Sequence, residues 1–134
     1  MHSESPVRGR LPLSEDERRV PEDPYSLSKG VTEEIGETFR RAWGIEAVNL
    51  RFAAVWSEEK YEELTTTGLP VTEEWADDLF QWVHPHDVRD GIILAATVEQ
   101  TTSDPIVLAA ADTRAPEDTL DLIRRFRPEF EREL

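Results

Sequence analysis

The sequence predicts an α/β fold with parallel strands. Two near-continuous apolar runs of strand length, 47–56 and 105–111, each follow a stretch of helical periodicity, and runs of that kind are buried on both faces when helices flank a parallel sheet. Strand and helix patterns alternate along the chain, and no repeat or low-complexity segment interrupts them. This favours an α/β layer over a helical bundle or a β-sandwich.

Residues 1–23 carry Pro6, Pro12 and Pro21 among many charges with no sustained period, and read as loop. Asp23 then offers an N-cap and Pro24 a first helical position, where its missing N–H costs nothing. From Tyr25 to about Trp43 the apolar residues Val31, Ile35, Phe39 and Ala42 recur at helical spacing, with Glu33, Glu34, Glu37 and Arg40 on the other side. Gly44 closes that helix.

After the 47–56 strand comes a polar, threonine-rich connection from Ser57 to Thr72, with one helical turn near Glu58 to Glu63. Thr72-Glu-Glu starts a short helix to Leu79, and Phe80 to His84 reads as a short strand. Asp87 is the expected cap of a helix from Val88 to about Glu99, with Ile92, Ala95 and Ala96 on one face. The 105–111 strand is followed by a helix over 116–126 with Leu120, Ile123 and Phe126 facing inward.

Composition narrows the partners. The formal charge is −14, from 29 acidic against 15 basic residues, so nucleic acid and anionic membrane are not expected to bind. Among the basic residues only Lys29 and Lys60 are lysine, cysteine is absent, and the acidic residues run along the whole chain. That pattern suits a high-salt cytoplasm, where screening relieves the self-repulsion of so much like charge. No apolar run reaches the length of a membrane span and the first residues carry no basic-then-apolar signal pattern, so a cytoplasmic protein of one domain is expected. Without cysteine there is no disulfide framework, thiol nucleophile or cysteine-type zinc site.

The candidate chemistry lies in Pro24-Tyr-Ser-Leu-Ser-Lys29. Tyr25 and Lys29, at i and i+4, share a helix face. A phenol ordinarily titrates near pH 10, too high for general-base work at neutral pH, and a neighbouring ammonium favours the phenolate. Such a pair is suited to passing a proton to or from a substrate hydroxyl while another group takes the hydride.

These residues, with Glu33 four positions beyond Lys29, then Gly44-Ile-Glu-Ala-Val-Asn-Leu-Arg51, then Trp82-Val-His-Pro-His-Asp-Val88, resemble the NAD-dependent epimerase/dehydratase family, the extended short-chain dehydrogenases. The likeness runs from about Leu11 to Phe126. It implies a partial Rossmann-like fold, the C-terminal part of a doubly wound parallel sheet plus substrate-side segments. The chain then divides into a loop (1–23), the catalytic helix and following strand (24–56) and a substrate-side α/β part (57–134).

The resemblance makes Tyr25 the catalytic acid/base and Lys29 its activator and ligand of the nicotinamide ribose. It sets the backbone of Phe52, Ala53 and Ala54 beside the nicotinamide of NAD or NADP. Asp87 matches an acidic residue at a helix start, with a structural role. A sugar or nucleotide-sugar substrate, hydride transfer at a carbinol carbon and a homodimer follow from the same likeness. Where nucleotide-sugar enzymes of the family continue with a Tyr-Gly-Pro turn, this chain has Val55-Trp-Ser-Glu58, closer to uronate-dehydrogenase-like members.

No three of Gly9, Gly30, Gly36, Gly44, Gly68 and Gly91 stand in the Gly-x-x-Gly-x-x-Gly spacing that admits a pyrophosphate. Ser3 and Ser5 fall too late to serve as the family's catalytic Ser or Thr. The expectation is a gene piece that starts at an internal methionine and is inactive alone; the alternative is an inactive module or remnant that keeps only a dimerisation helix.

Other groups read as structural. His84 and His86 flank a proline at a strand-to-helix turn, where they face solvent or cap the helix rather than bind metal. Ser26 and Ser28 have no histidine nearby to activate them. The pairs Glu58-Glu59, Glu73-Glu74 and Asp77-Asp78 read as solvated surface.

Overall fold

Alternating apolar runs and helical periods give a mixed α/β architecture. The computed structural model describes Glu15 and residues 20–67, 71–99 and 104–133; the rest of the expected 1–23 loop and residues 68–70 of the polar connection lie outside the described residues. In chain order these are α1 (Pro24–Trp43), β1 (Leu50–Phe52), β2 (Ala54–Val55), α2 (Glu58–Thr67), β3 (Trp82–Val83), α3 (Pro85–Thr97), β4 (Ile106–Leu108) and α4 (Thr119–Phe126). Short 3₁₀ helices span Glu73–Asp78 and Pro128–Glu133.

The strands are parallel, as expected, but they form two small sheets. β1 pairs with β4 in the register Leu50 to Ile106, and β2 pairs with β3 in the register Ala54 to Trp82. The 47–56 run is thus one strand split at Ala53, whose N–H still donates to Leu108 O at 3.1 Å. Beyond that rung β3 takes over: Trp56 N–H donates to Val83 O, while Trp82 O accepts from Ala110 N–H on its other side. The expected full burial of both runs does not hold, since Phe52, Val55, Ile106 and Val107 are exposed. Each two-stranded sheet is narrow and leaves edges beside which the strand residues reach water.

Helices lie on both sides of the β1–β4 pair. Side chains alternate along a strand, and α1 meets the Asn49 and Arg51 side, whereas Gly91 of α3 lies against Leu108 on the opposite side. A Cβ at Gly91 would fall 2.6 Å from Leu108 Cδ1, so the close approach of α3 uses the missing side chain. The α3 face that docks is therefore that of Val88, Gly91 and Ala95, and the expected Ile92 and Ala96 point outward.

The packed core sits elsewhere, around the 3₁₀ helix and α4. Ala76, Phe80, Ala115 and Leu122 are buried together, with Val71, Trp75 and Phe126 against them. Two residues in the left-handed region, Leu79 (φ 55°) and Phe80 (φ 60°), turn the chain sharply into β3. Such backbone is costly for residues with a Cβ, and the complete burial of the Phe80 ring offsets it. In α4, Ile123 is buried and Phe126 packs against the core as expected, while Leu120 is exposed and Leu122 takes the inward position instead. The helix starts only at Thr119, capped by Asp118, so Leu120 lies in its first turn, off the side facing Phe80.

Four local expectations also change. The single turn expected near Glu58 is a ten-residue helix, held by the ring of Tyr61 stacked on Trp82 at 5.0 Å. The stretch after Thr72 is 3₁₀ rather than α, with no side-chain cap bond from Thr72. The cap of α3 is His84, whose imidazole accepts from His86 N–H, and Asp87 sits in the first turn. Asp78, expected as solvated surface, pairs with the buried Arg114.

Candidate functional site

The first turn of α1 is fixed by a reciprocal cap. Asp23 Oδ1 accepts from Ser26 N–H at 2.7 Å, and Ser26 Oγ accepts from Asp23 N–H at 3.2 Å. Pro24 occupies the first turn, and Gly44 in the left-handed conformation ends the helix with its N–H on Arg40 O. The helix bounds expected from Asp23, Pro24 and Gly44 hold. Ser26, read earlier only as a failed nucleophile, is a capping residue.

On this turn Tyr25 is exposed, and the Lys29 ammonium lies 4.9 Å from the centroid of its ring. This is a cation–π contact, with the charge held against the phenol by one turn of helix. The two residues are brought together as the spacing predicts.

The side of α1 that docks on the strands is its polar side. Arg51 of β1 grips Glu33 with two prongs, Nε to Oε1 and Nη2 to Oε2, both at 3.0 Å. Gly36 sits against Asn49 and Ala47, and Arg40 donates to the Ala47 carbonyl. Val31, Ile35 and Phe39 are 49%, 51% and 44% exposed, and no residue of α1 is buried. At 100° per residue, Tyr25, Lys29, Glu33, Gly36 and Arg40 fall within one sector of the helix.

This register fixes where the pair lies along the strand. As the helix runs Glu33, Gly36, Arg40, its partners run backwards through Arg51, Asn49 and Ala47. Lys29 and Tyr25 lie about 6 and about 12 Å beyond Glu33 along the helix axis, which is the advance from Arg51 to Ala53 and to Val55 along an extended strand. Continued along the helix, this row leads Lys29 to about the level of Ala53 and Tyr25 to about that of Val55, past Phe52, Ala53 and Ala54. Among these three, Ala53 commits its N–H to Leu108 and Ala54 is paired across to Trp82. The backbone groups of Phe52 alternate to the edge away from β4.

A second constellation, with no sequence expectation behind it, gathers just past β2. The Arg114 guanidinium carbon is 5.1 Å from the rings of both Trp56 and Trp75, and Lys60 lies over Trp56 at 4.9 Å. Trp82 donates its indole N–H to Asp112 at 3.0 Å. These residues come from positions 56 to 114, and no local spacing signals their meeting. Among the described residues no group of three or more His, Asp or Glu is placed to hold a metal ion.

No helix among the described residues is long and apolar enough to cross a membrane. No known protein family's model matches this chain, and no curated protein matches it in sequence.

Proposed function

We propose that this chain is the catalytic-helix and substrate-side part of a Rossmann-like, NAD- or NADP-dependent sugar epimerase, dehydratase or uronate-type dehydrogenase of the extended short-chain dehydrogenase family. Tyr25 exchanges a proton with a substrate hydroxyl as hydride moves between the carbinol carbon and the nicotinamide, and Lys29 favours the phenolate. The observation that carries this reading is the docking of α1 on the strands by its polar face, the same side of the helix that bears Tyr25 with the Lys29 ammonium over its ring. In open α/β sheets ligands bind outside the C-terminal end of the strands. The open edge of β1 and the exposed apolar strand residues fit a sheet that continues in further strands.

Affinity for a dinucleotide comes largely from a pyrophosphate held at a glycine-rich first turn, and these 134 residues contain no such turn. The chain alone should give no heat of NAD binding by calorimetry, whereas the same residues behind a glycine-rich βα unit should reduce NAD in the presence of a uronate or related sugar. Micromolar NAD binding by the chain alone, or no reduction across a sugar panel by the extended protein, would contradict the proposal.

The partner proposed for the outer face of α1 is a second copy. Leu27, Val31, Ile35 and Phe39 form an exposed apolar stripe about 18 Å long on a helix that is otherwise charged. Ile35→Asp should convert a dimer to a monomer in sedimentation, and a wild-type protein monomeric at high concentration would refute the pairing.

The acidic, lysine-poor composition fits a salt-rich cytoplasm. The melting temperature should accordingly rise with molar KCl as screening reduces repulsion among carboxylates; a flat or falling trend would count against this adaptation.

A further inference from the structure

We infer that Ser26 is a positioning residue for the Tyr25–Lys29 pair: its hydroxyl locks the first turn of α1 and so keeps the tyrosine ring within reach of the lysine ammonium. The inference rests on the proposed role of that pair. Tyr25 lies in the first turn, where a helix frays because its leading N–H groups have no partner one turn back. No residue of α1 is buried and Tyr25 is itself exposed, so packing does not hold this turn in place.

Local bonds hold it instead. Ser26 Oγ accepts from the N–H groups of Glu22 and Asp23, both at 3.2 Å, and donates to the Asp23 carbonyl at 3.1 Å. In return Asp23 Oδ1 accepts from Ser26 N–H at 2.7 Å. One hydroxyl therefore ties the two residues before the helix to its third residue, with Pro24 and Tyr25 enclosed between them. On the other side, Ser28 Oγ donates to the Tyr25 carbonyl at 2.7 Å and joins Tyr25 to the turn that carries Lys29. The side of Tyr25 toward the chain start is the one that Ser26 closes. An exposed cation–π contact is too weak to hold a frayed turn by itself. The approach of Lys29 to 4.9 Å from the Tyr25 centroid thus depends on the closed turn.

The pair can be observed in the whole chain without cofactor or substrate, so the result is separate from that of the hydride-transfer assay. A ring current shifts the Lys29 methylene protons beside the ammonium upfield in the proton NMR spectrum. Lys60 lies over Trp56 and gives the other shifted lysine signal. Lys60→Arg removes that signal, and Tyr25→Leu defines the unshifted position of Lys29. Ser26→Ala should lose at least about a third of the shift, because loss of the reciprocal cap bonds reopens the first turn. Ser26→Gln should restore it, since glutamine at the third helical position reaches back to the cap N–H. Retention of the full shift in Ser26→Ala, or no recovery in Ser26→Gln, would overturn the inference.

If Ser26→Ala does not fold, Ser26→Cys decides the matter, because a thiol has nearly the same shape as the hydroxyl and is only a weak acceptor. Loss of the shift then supports the lock, and its retention overturns it.

Discussion

Tyr25→Phe, made in the polypeptide that carries these residues behind a glycine-rich βα unit, is expected to lower turnover by at least about 10²-fold, the usual scale for loss of a proton-transfer group. The substitution removes only the hydroxyl. The ring remains under the Lys29 ammonium, and because Tyr25 is exposed and its main chain belongs to a well-capped helix, folding should hardly change. The loss should fall on kcat with little change in cofactor affinity, since a phenylalanine ring fills the same space. Lys29→Ala should in contrast reduce both, because the ammonium serves the phenol and the nicotinamide ribose in the proposed arrangement. Turnover of Tyr25→Phe near wild type would remove Tyr25 from the mechanism.

The largest effect on stability is expected from Asp78→Asn. The Arg114 side chain is only 4% exposed, and its Nη2 lies 2.6 and 2.7 Å from the two Asp78 oxygens. The two tryptophans beside it supply attraction to the cation but no counter-charge. Removing the carboxylate charge leaves a guanidinium buried without its counter-ion, which typically costs about 3–5 kcal/mol. A domain of this size has only about 5–15 kcal/mol to lose, so the urea midpoint should fall steeply. Asp78→Leu combined with Arg114→Met should recover part of the loss, because the buried guanidinium is then gone. A change below about 1 kcal/mol in Asp78→Asn would show that water reaches the pair.

Sequence and structure agree at both ends of α1. Asp23-Pro24 and Gly44 set the ends of α1 because capping and left-handed backbone are properties of a few adjacent residues. That the strands run parallel was legible from two apolar runs separated by helical stretches, whereas the pairing of 50–52 directly with 106–108 was not. The docked side of α1 was not legible. Periodicity marks Val31, Ile35 and Phe39 as a face but does not say what covers it, and the docking contacts are polar ones between Glu33 and Arg51, eighteen residues apart. The same holds for α2, whose threonines disguise a helix that a distant ring, Trp82, stabilises through Tyr61. At α3 the expected cap Asp87 lies in the first turn, and the cap is His84, for which the sequence offers a capping role beside a solvent-facing one. Tyr25 and Lys29 were found because four residues of helix separate them. Arg114 and its tryptophans were missed because the chain must fold before they meet.

The separation of the buried cluster from α1 also bears on how the molecule opens. Cooperative units in a protein unlock at different free energies, and those with few buried apolar contacts unlock first. Among the described residues α1 has no buried side chain, and its contacts with the strands include an ion pair, a glycine contact and an arginine-to-carbonyl bond. The unit around Phe80 and Leu122 is closed off from water. The helix bearing Tyr25 is accordingly expected to open before the unit around Phe80 and Leu122, carrying the pair of side chains with it.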